Sequence, residues 1–355
     1  MSSAFVAIER ETLRRLPKAE LHCHLDGSVR PQTLIELARE YGRTMPRMDA
    51  SSLAEYMTVL DARNLEEYLA RFTVTLSVMQ RADALERIAY ELAEDAHHDG
   101  VLYLETRFSP VLNVNEGLEP QEVVESVLRG LANAEKEYGV IGRVIVTALR
   151  NLSPDVSVEL ARLAVSYRDR GVVGFDLAGA ELGNPASRHA RAFEYAHAHD
   201  MACTCHAGEG DGAGSIREAV HSCCANRIGH GTRLFEDESL LEYVNGRQIP
   251  IEMCLTSNIQ TRVVQSYETH PLRRYYDAGL NVLLSTDNRL MSATTLTDEY
   301  VHASEHLGFT LAELSTIAIN AFESAFLPLR ERRELVARAR KDIARLRAEP
   351  WTRDL

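Results

Sequence analysis

Four histidines and one aspartate follow short apolar runs in this chain: His22 and His24 in AELHCHLDGS, His206 in ACTCHAGEG, His230 in NRIGHG and Asp287 in NVLLSTDN. Imidazole nitrogens and a carboxylate suit a borderline divalent ion such as zinc. Side chains alternate along a strand, so His22 and His24 share a face while Cys23 points the other way. The same parity puts Thr204 with His206, and Ser285 with Asp287. His22, His24, His206 and Asp287 are therefore expected to hold one zinc ion per chain, with room left for a water. Glu209, three residues after His206, is expected beside the ion as a proton donor. His230 stands between two glycines and is expected to serve as an acid or base rather than a ligand.

Such a site needs rigid elements that aim all five side chains at one opening. Apolar runs bounded by Gly, Pro, Ser or Asp occur at residues 19 to 25, 101 to 108, 141 to 149, 172 to 178, 202 to 206, 227 to 230, 250 to 255 and 281 to 286. Most are continuously hydrophobic, as strands covered on both faces must be. Between them lie stretches with helical spacing, such as PQEVVESVLRGLANAEKEYG, SVELARLAVSYRDRG, ASRHARAFEYAHAHD and SIREAVHSCCA. Eight alternations of strand and helix predict an α/β fold, a (β/α)8 TIM-type barrel, whose strand ends meet at one face. An open doubly wound sheet would instead gather its ligands at one switch point. The chain reads as a single domain over 1–355, with a helical insertion over 27–100 after the first strand. PQTLIELAREYG, LEEYLARFTVTLSVM and ADALERIAYELAEDAHHDG are expected to be its helices, folding over one barrel end.

The net charge of -13 excludes a Lys- and Arg-driven grip on nucleic acid. A small-molecule substrate, neutral or nearly so, is expected. MSSAFVAIERETLRRL has no cleavable apolar core and no run is long enough to span a bilayer, so neither nucleic acid nor membrane is expected as a partner and the protein reads as cytoplasmic. Oligomeric state is not legible. The six cysteines read as reduced packing residues, and no Cys-x-x-Cys pair offers a thiolate zinc site.

Each motif alone is weak. With 13 histidines, one His-x-His pair has roughly even odds of arising by chance, and Asp287 alone could cap the segment after it. The signal lies in their coincidence at strand ends. VVGFDLAGAELGNP contains no lysine of the kind that is carboxylated to bridge two ions, so one metal is expected. GEGDGA loosely matches a dinucleotide fingerprint but stands alone, and its glycines are expected to let the loop pass close to a ligand. Glu105 and Arg107 share a face of the second strand and are expected to form a buried ion pair.

In order along the chain, LPKAELHCHLDGS, VVGFDLAGAE, HAGE, RIGHG, EMCLTSN and STDN resemble the strand signatures of the adenosine deaminase family of metal-dependent amidohydrolases. The resemblance covers nearly the whole chain. It implies that His22, His24, His206 and Asp287 bind zinc, and that Glu209, His230 and Asp287 are the catalytic groups. Glu209 would protonate N1 of a purine, and His230 would orient and help deprotonate the water on zinc. For substrate binding it implies His24, Asp26 at the ribose 5′ hydroxyl, the N–H of Gly179 at N3 and Asn288 at N7. The activity implied is hydrolysis of adenosine and 2′-deoxyadenosine to inosine and 2′-deoxyinosine plus ammonia, a reaction of purine salvage. The cytidine-deaminase class is excluded, because its Pro-Cys-x-x-Cys element is absent.

Two positions depart from the family pattern. Asn288 stands where many members carry a second aspartate; an amide already has donors for the acceptor N7, whereas an aspartate must be protonated. Leu255 stands where the family often has proline. The alternatives are a related 6-aminopurine substrate, such as aminodeoxyfutalosine or adenine, and a non-catalytic purine-binding protein. Asp26 favours a substrate with a sugar.

Overall fold

The computed structural model describes residues 8–58 and 71–352. Eight parallel strands follow one another round a barrel in chain order: β1 (Lys18–His24), β2 (Val101–Phe108), β3 (Ile141–Leu149), β4 (Val172–Ala178), β5 (Ala202–Ala207), β6 (Arg227–His230), β7 (Ile251–Met253) and β8 (Val282–Leu284). The fold is a (β/α)8 TIM barrel. It closes beyond β8 itself: Asp287 N donates to His22 O at 2.9 Å, and His24 N donates to Asp287 O at 2.7 Å. Below that seam Glu20, buried in β1, accepts from the Thr286 hydroxyl at 2.9 Å and from its N–H at 3.2 Å.

The last two strands are shorter than the sequence suggests. The run 250 to 255 ends at Met253, and Leu255 opens the helix Leu255–Gln260. Leu255 is thus the first helical residue, where a proline would also fit because that N–H needs no intrahelical partner. Regular pairing of β8 stops at Leu284, and Asp287 turns to φ 61°.

The helical stretches between strands form the outer layer, including Pro120–Tyr138, Pro154–Ser166, Ala190–Ala198 and Ala213–His221. The crossover from β1 to β2 carries Pro31–Tyr41, Ala50–Met57, Phe72–Leu76 and Ala82–His98. The first part of the expected helix LEEYLARFTVTLSVM, and the start of MSSAFVAIERETLRRL, lie outside the described residues. Ala82–His98 packs on Pro120–Tyr138 and on β2 as part of the outer layer, and is not a cover for one barrel end. Phe72, Thr73 and Leu76 do reach the mouth. No helix among the described residues is long and apolar enough to cross a membrane.

The lumen is charged. Glu105 and Arg107 are both fully buried, but they do not pair with each other as expected. Arg107 lies 2.9 Å from Glu252 and 3.4 Å from Asp176, while Glu105 lies 2.5 Å from Arg227. Arg227 also reaches Glu252 at 2.7 Å. Inward side chains of a barrel meet those of strands across the lumen, a proximity that spacing within one strand does not reveal. Arg227→Met should destabilise the fold by about 3–5 kcal/mol, since it leaves Glu105 and Glu252 short of a buried counter-charge. The measurement is the unfolding midpoint in denaturant, and a midpoint equal to that of the parent would refute this role for the network.

Candidate metal centre

The C-terminal strand ends bring together the residues picked out in the sequence. His22, His206, His230 and Asp287 each offer a ligand atom within 4.8 Å of the others, and all four are buried. His24 joins them: its Nε2 is 3.1 Å from His206 Nε2 and 3.3 Å from Asp287 Oδ1. His22 Nε2 is 3.4 Å from the same carboxylate oxygen. Close approach here depends on Gly229, where a Cβ would come within 3.1 Å of both His206 Cα and His22 Cε1. His230 adopts φ 62° and Asp287 φ 61°, conformations that cost non-glycine residues about 1–3 kcal/mol each and collect at functional sites.

Behind four of these groups, His22, His206, His230 and Asp287, stands a partner that sequence reasoning missed. Glu252 accepts from His22 Nδ1 at 2.8 Å, and Asp176 accepts from His206 Nδ1 at 3.2 Å. A proton on Nδ1 leaves Nε2 as a bare lone pair, which is how carboxylates prepare imidazoles for a metal. Burial pushes the Asp176 carboxyl up, but His206 and Arg107 outweigh it and hold the group well below the usual range. At Glu252, Arg107 and Arg227 overcome burial in the same way. Ser257 donates to Asp287 Oδ2 at 2.6 Å, and the Asn258 amide lies 3.0 Å from His230 Nδ1. The aspartate of GFDLAG, the glutamate of IEMC and the Ser-Asn of LTSN lay within the quoted motifs. Nothing in their spacing says which imidazole or carboxylate each one meets.

The donor set fits a cation. His22 Nε2 is buried with no hydrogen-bond partner, and the Nε2 atoms of His22 and His24 both lie within 3.4 Å of Asp287 Oδ1. Burial raises the Asp287 pKa, but the surrounding imidazoles, His22 first, hold it well below the usual carboxylate range. A negative oxygen among converging nitrogen lone pairs is an arrangement that a divalent ion satisfies.

A cavity of 380 Å³ opens over this cluster. His24, Asp26, His206, Glu209, His230, Asp287 and Asn288 supply its polar side, Gly179 lies at the β4 exit, and Phe72, Leu76, Leu112 and Leu149 supply apolar walls. Glu209 is 7% exposed, and its Oε2 lies 3.5 Å from His230 Nε2. Burial first, then the charges of Asp287 and Glu181, push its pKa well above the usual carboxylate value. The loop carrying Glu209 is fixed by Glu181, whose carboxylate accepts N–H groups from Gly208 at 3.0 Å, Glu209 at 2.9 Å and Gly210 at 3.3 Å. The first two glycines of GEGDGA thus wrap a protein carboxylate, a contact the sequence did not suggest. Burial lowers the pKa of His230 well below 6.5, and the neighbouring His22 adds to this. Burial raises that of Asp26 to about 7, and its Oδ1 has no hydrogen-bond partner. Asn288 Oδ1 sits so close to Gly27 that a Cβ there would lie 1.7 Å away, so Gly27 is what admits this side chain.

A closed parallel barrel with histidines and an aspartate clustered at its strand ends defines a metal-dependent hydrolase of the amidohydrolase type. Residues 17–342 match the family model for adenosine deaminase. The adenosine deaminase of Mycolicibacterium gilvum is 44% identical over 344 residues, covering 92% of this chain and 94% of that one. Among solved structures, the adenine deaminase of Arthrobacter aurescens superposes with a TM-score of 0.86 at 27% identity, covering 92% and 99% of the two chains. An amidohydrolase of Burkhoderia ambifaria with bound Zn also gives 0.86, at 26% identity over 97% and 96%. The chain belongs to the adenosine deaminase family.

Asp176→Asn should keep the fold but weaken metal binding by about 10–100-fold, because an amide can turn its NH2 toward Nδ1 and does not fix the His206 tautomer as a carboxylate does. Competition with a chromophoric chelator measures this, and an unchanged affinity would exclude the role given to Asp176.

Proposed function

We propose that this chain catalyses the hydrolytic deamination of adenosine and 2′-deoxyadenosine, giving inosine or 2′-deoxyinosine and ammonia, with one zinc ion per chain held by His22, His24, His206 and Asp287. The observation that carries this reading is the placement of Glu209, a buried carboxyl in the cavity that also exposes the histidine and aspartate cluster. Hydrolytic attack on an amino-bearing ring carbon needs a proton delivered to the adjacent ring nitrogen and a proton taken from water. The bound ion supplies Lewis acidity, which lowers the pKa of a water from 15.7 to about 7.

Glu209, kept in its acid form by burial and by neighbouring negative charge, gives its proton to N1 and makes C6 more electrophilic. His230 is neutral near pH 7, because burial disfavours the imidazolium, so it can orient the attacking water and take its proton. Asn258 holds the other nitrogen of that ring, and Ser257 holds Asp287. Gly179 offers its N–H to N3, Asn288 offers amide donors to N7, and Asp26 meets the ribose 5′ hydroxyl. With a pKa near 7, Asp26 can either donate to or accept from a hydroxyl. Phe72, Leu76, Leu112 and Leu149 exclude water from the flanks. The name of the 44% identical relative supports the same substrate. Six free cysteines, five of them buried, agree with a reducing, cytoplasmic setting.

Zinc-loaded protein should release ammonia from adenosine and 2′-deoxyadenosine and not from free adenine; the reverse preference would overturn the substrate assignment. Glu209→Gln should keep its metal and lose about 10²–10⁴-fold in kcat, since an amide has no proton for N1. A kcat near that of the parent would remove Glu209 from the mechanism.

A further inference from the structure

Away from the barrel mouth, the helix Leu296–Leu307 gathers a second group of metal-ligating side chains. His302 and His306 are four residues apart and Glu305 lies three after His302, so all three share one helical face. One ligand atom from each lies within 4.8 Å of the others. None of them lines the cavity described above, and no step of the deamination uses them.

The short turn Tyr267–Thr269 prepares both imidazoles. Glu268 Oε1 lies 2.8 Å from His306 Nδ1. A proton on that nitrogen, drawn by the carboxylate, leaves Nε2 free to bind a metal. The Tyr267 ring stacks on His302 with centroids 4.3 Å apart and on His306 at 4.8 Å, with interplanar angles of 23° and 21°. Its hydroxyl is tied to Thr256 at 3.0 Å. Both rings are therefore packed against one fixed plane. His302 Nδ1 is buried with no hydrogen-bond partner.

The donors are two imidazoles and a carboxylate, which suit Zn2+, Co2+, Ni2+ or Cu2+ better than Mg2+ or Ca2+. Donors at 2.0–2.2 Å from one ion stand at most about 4.4 Å apart, so ligand atoms already within 4.8 Å of one another need only small side-chain rotations to meet one ion. The side chain of His306 is 33% exposed, which gives an ion direct access from solvent.

We propose that His302, Glu305 and His306 form a second, surface site for a divalent transition metal, with Glu268 orienting His306 and water completing the coordination. The test is elemental analysis of full-length protein that has been stripped by a chelator and then brought to equilibrium with micromolar zinc. The parent should hold two equivalents, and the His302→Ala/His306→Ala double variant one, with kcat unchanged. His206→Ala should lose the barrel ion and keep the surface one, which separates failure of this proposal from failure of the catalytic assignment. One equivalent in the parent that His206→Ala removes entirely, or two equivalents persisting in the double variant, would overturn the surface site.

Discussion

The structure depends on the seam at which the first and last strands meet. β8 is only three residues long, so closure falls to the segment after it, where the backbone of Asp287 bonds to both His22 and His24. The hydrogen bonds that close the barrel therefore also set an aspartate beside two histidines. β5 and β6, side by side, then add His206 and His230 across the mouth. Closure and assembly of the site are one event, and a chain that failed to close would have no site.

Charge placement in the lumen serves the same end. Arg107 and Arg227 keep Glu252 ionised, Arg107 and His206 do so for Asp176, and the two carboxylates in turn orient His22 and His206. Such a network contributes little net stability compared with an apolar core. Its effect is to fix tautomers at the mouth. At Glu209, by contrast, burial together with Asp287 and Glu181 pushes the pKa well above the usual carboxylate value. Asp287 and Glu209, carboxyl groups of similar intrinsic acidity, are thus shifted in opposite directions within one cavity.

Much of this was legible in the sequence, and the rest was hidden for identifiable reasons. Near-continuous apolar runs mark β2 to β5 well, because strands buried on both faces tolerate little else. β7 and β8 are shorter than their apolar runs: Leu255 is as apolar in a first helical turn as in a strand, and Asp287, bonded into the seam, turns to φ 61°. Strand parity put His22 with His24 and Thr204 with His206, since alternation is local. The supports were not legible. Asp176, Glu181, Glu252, Ser257 and Asn258 act across strands or loops, and Glu105 and Arg107 each found a partner on another strand. A helical pattern in 82–100 was visible, but periodicity alone does not tell an outer-layer helix from one that covers the barrel mouth.

The central claim is that one ion sits among His22, His24, His206 and Asp287. Anomalous diffraction at the zinc edge, from crystals grown with zinc, tests it most directly. The account predicts a peak about 2.0–2.2 Å from three imidazole nitrogens and one Asp287 oxygen. A barrel mouth with no peak under zinc-replete conditions, or a peak that leaves out the histidines of β1, would contradict it.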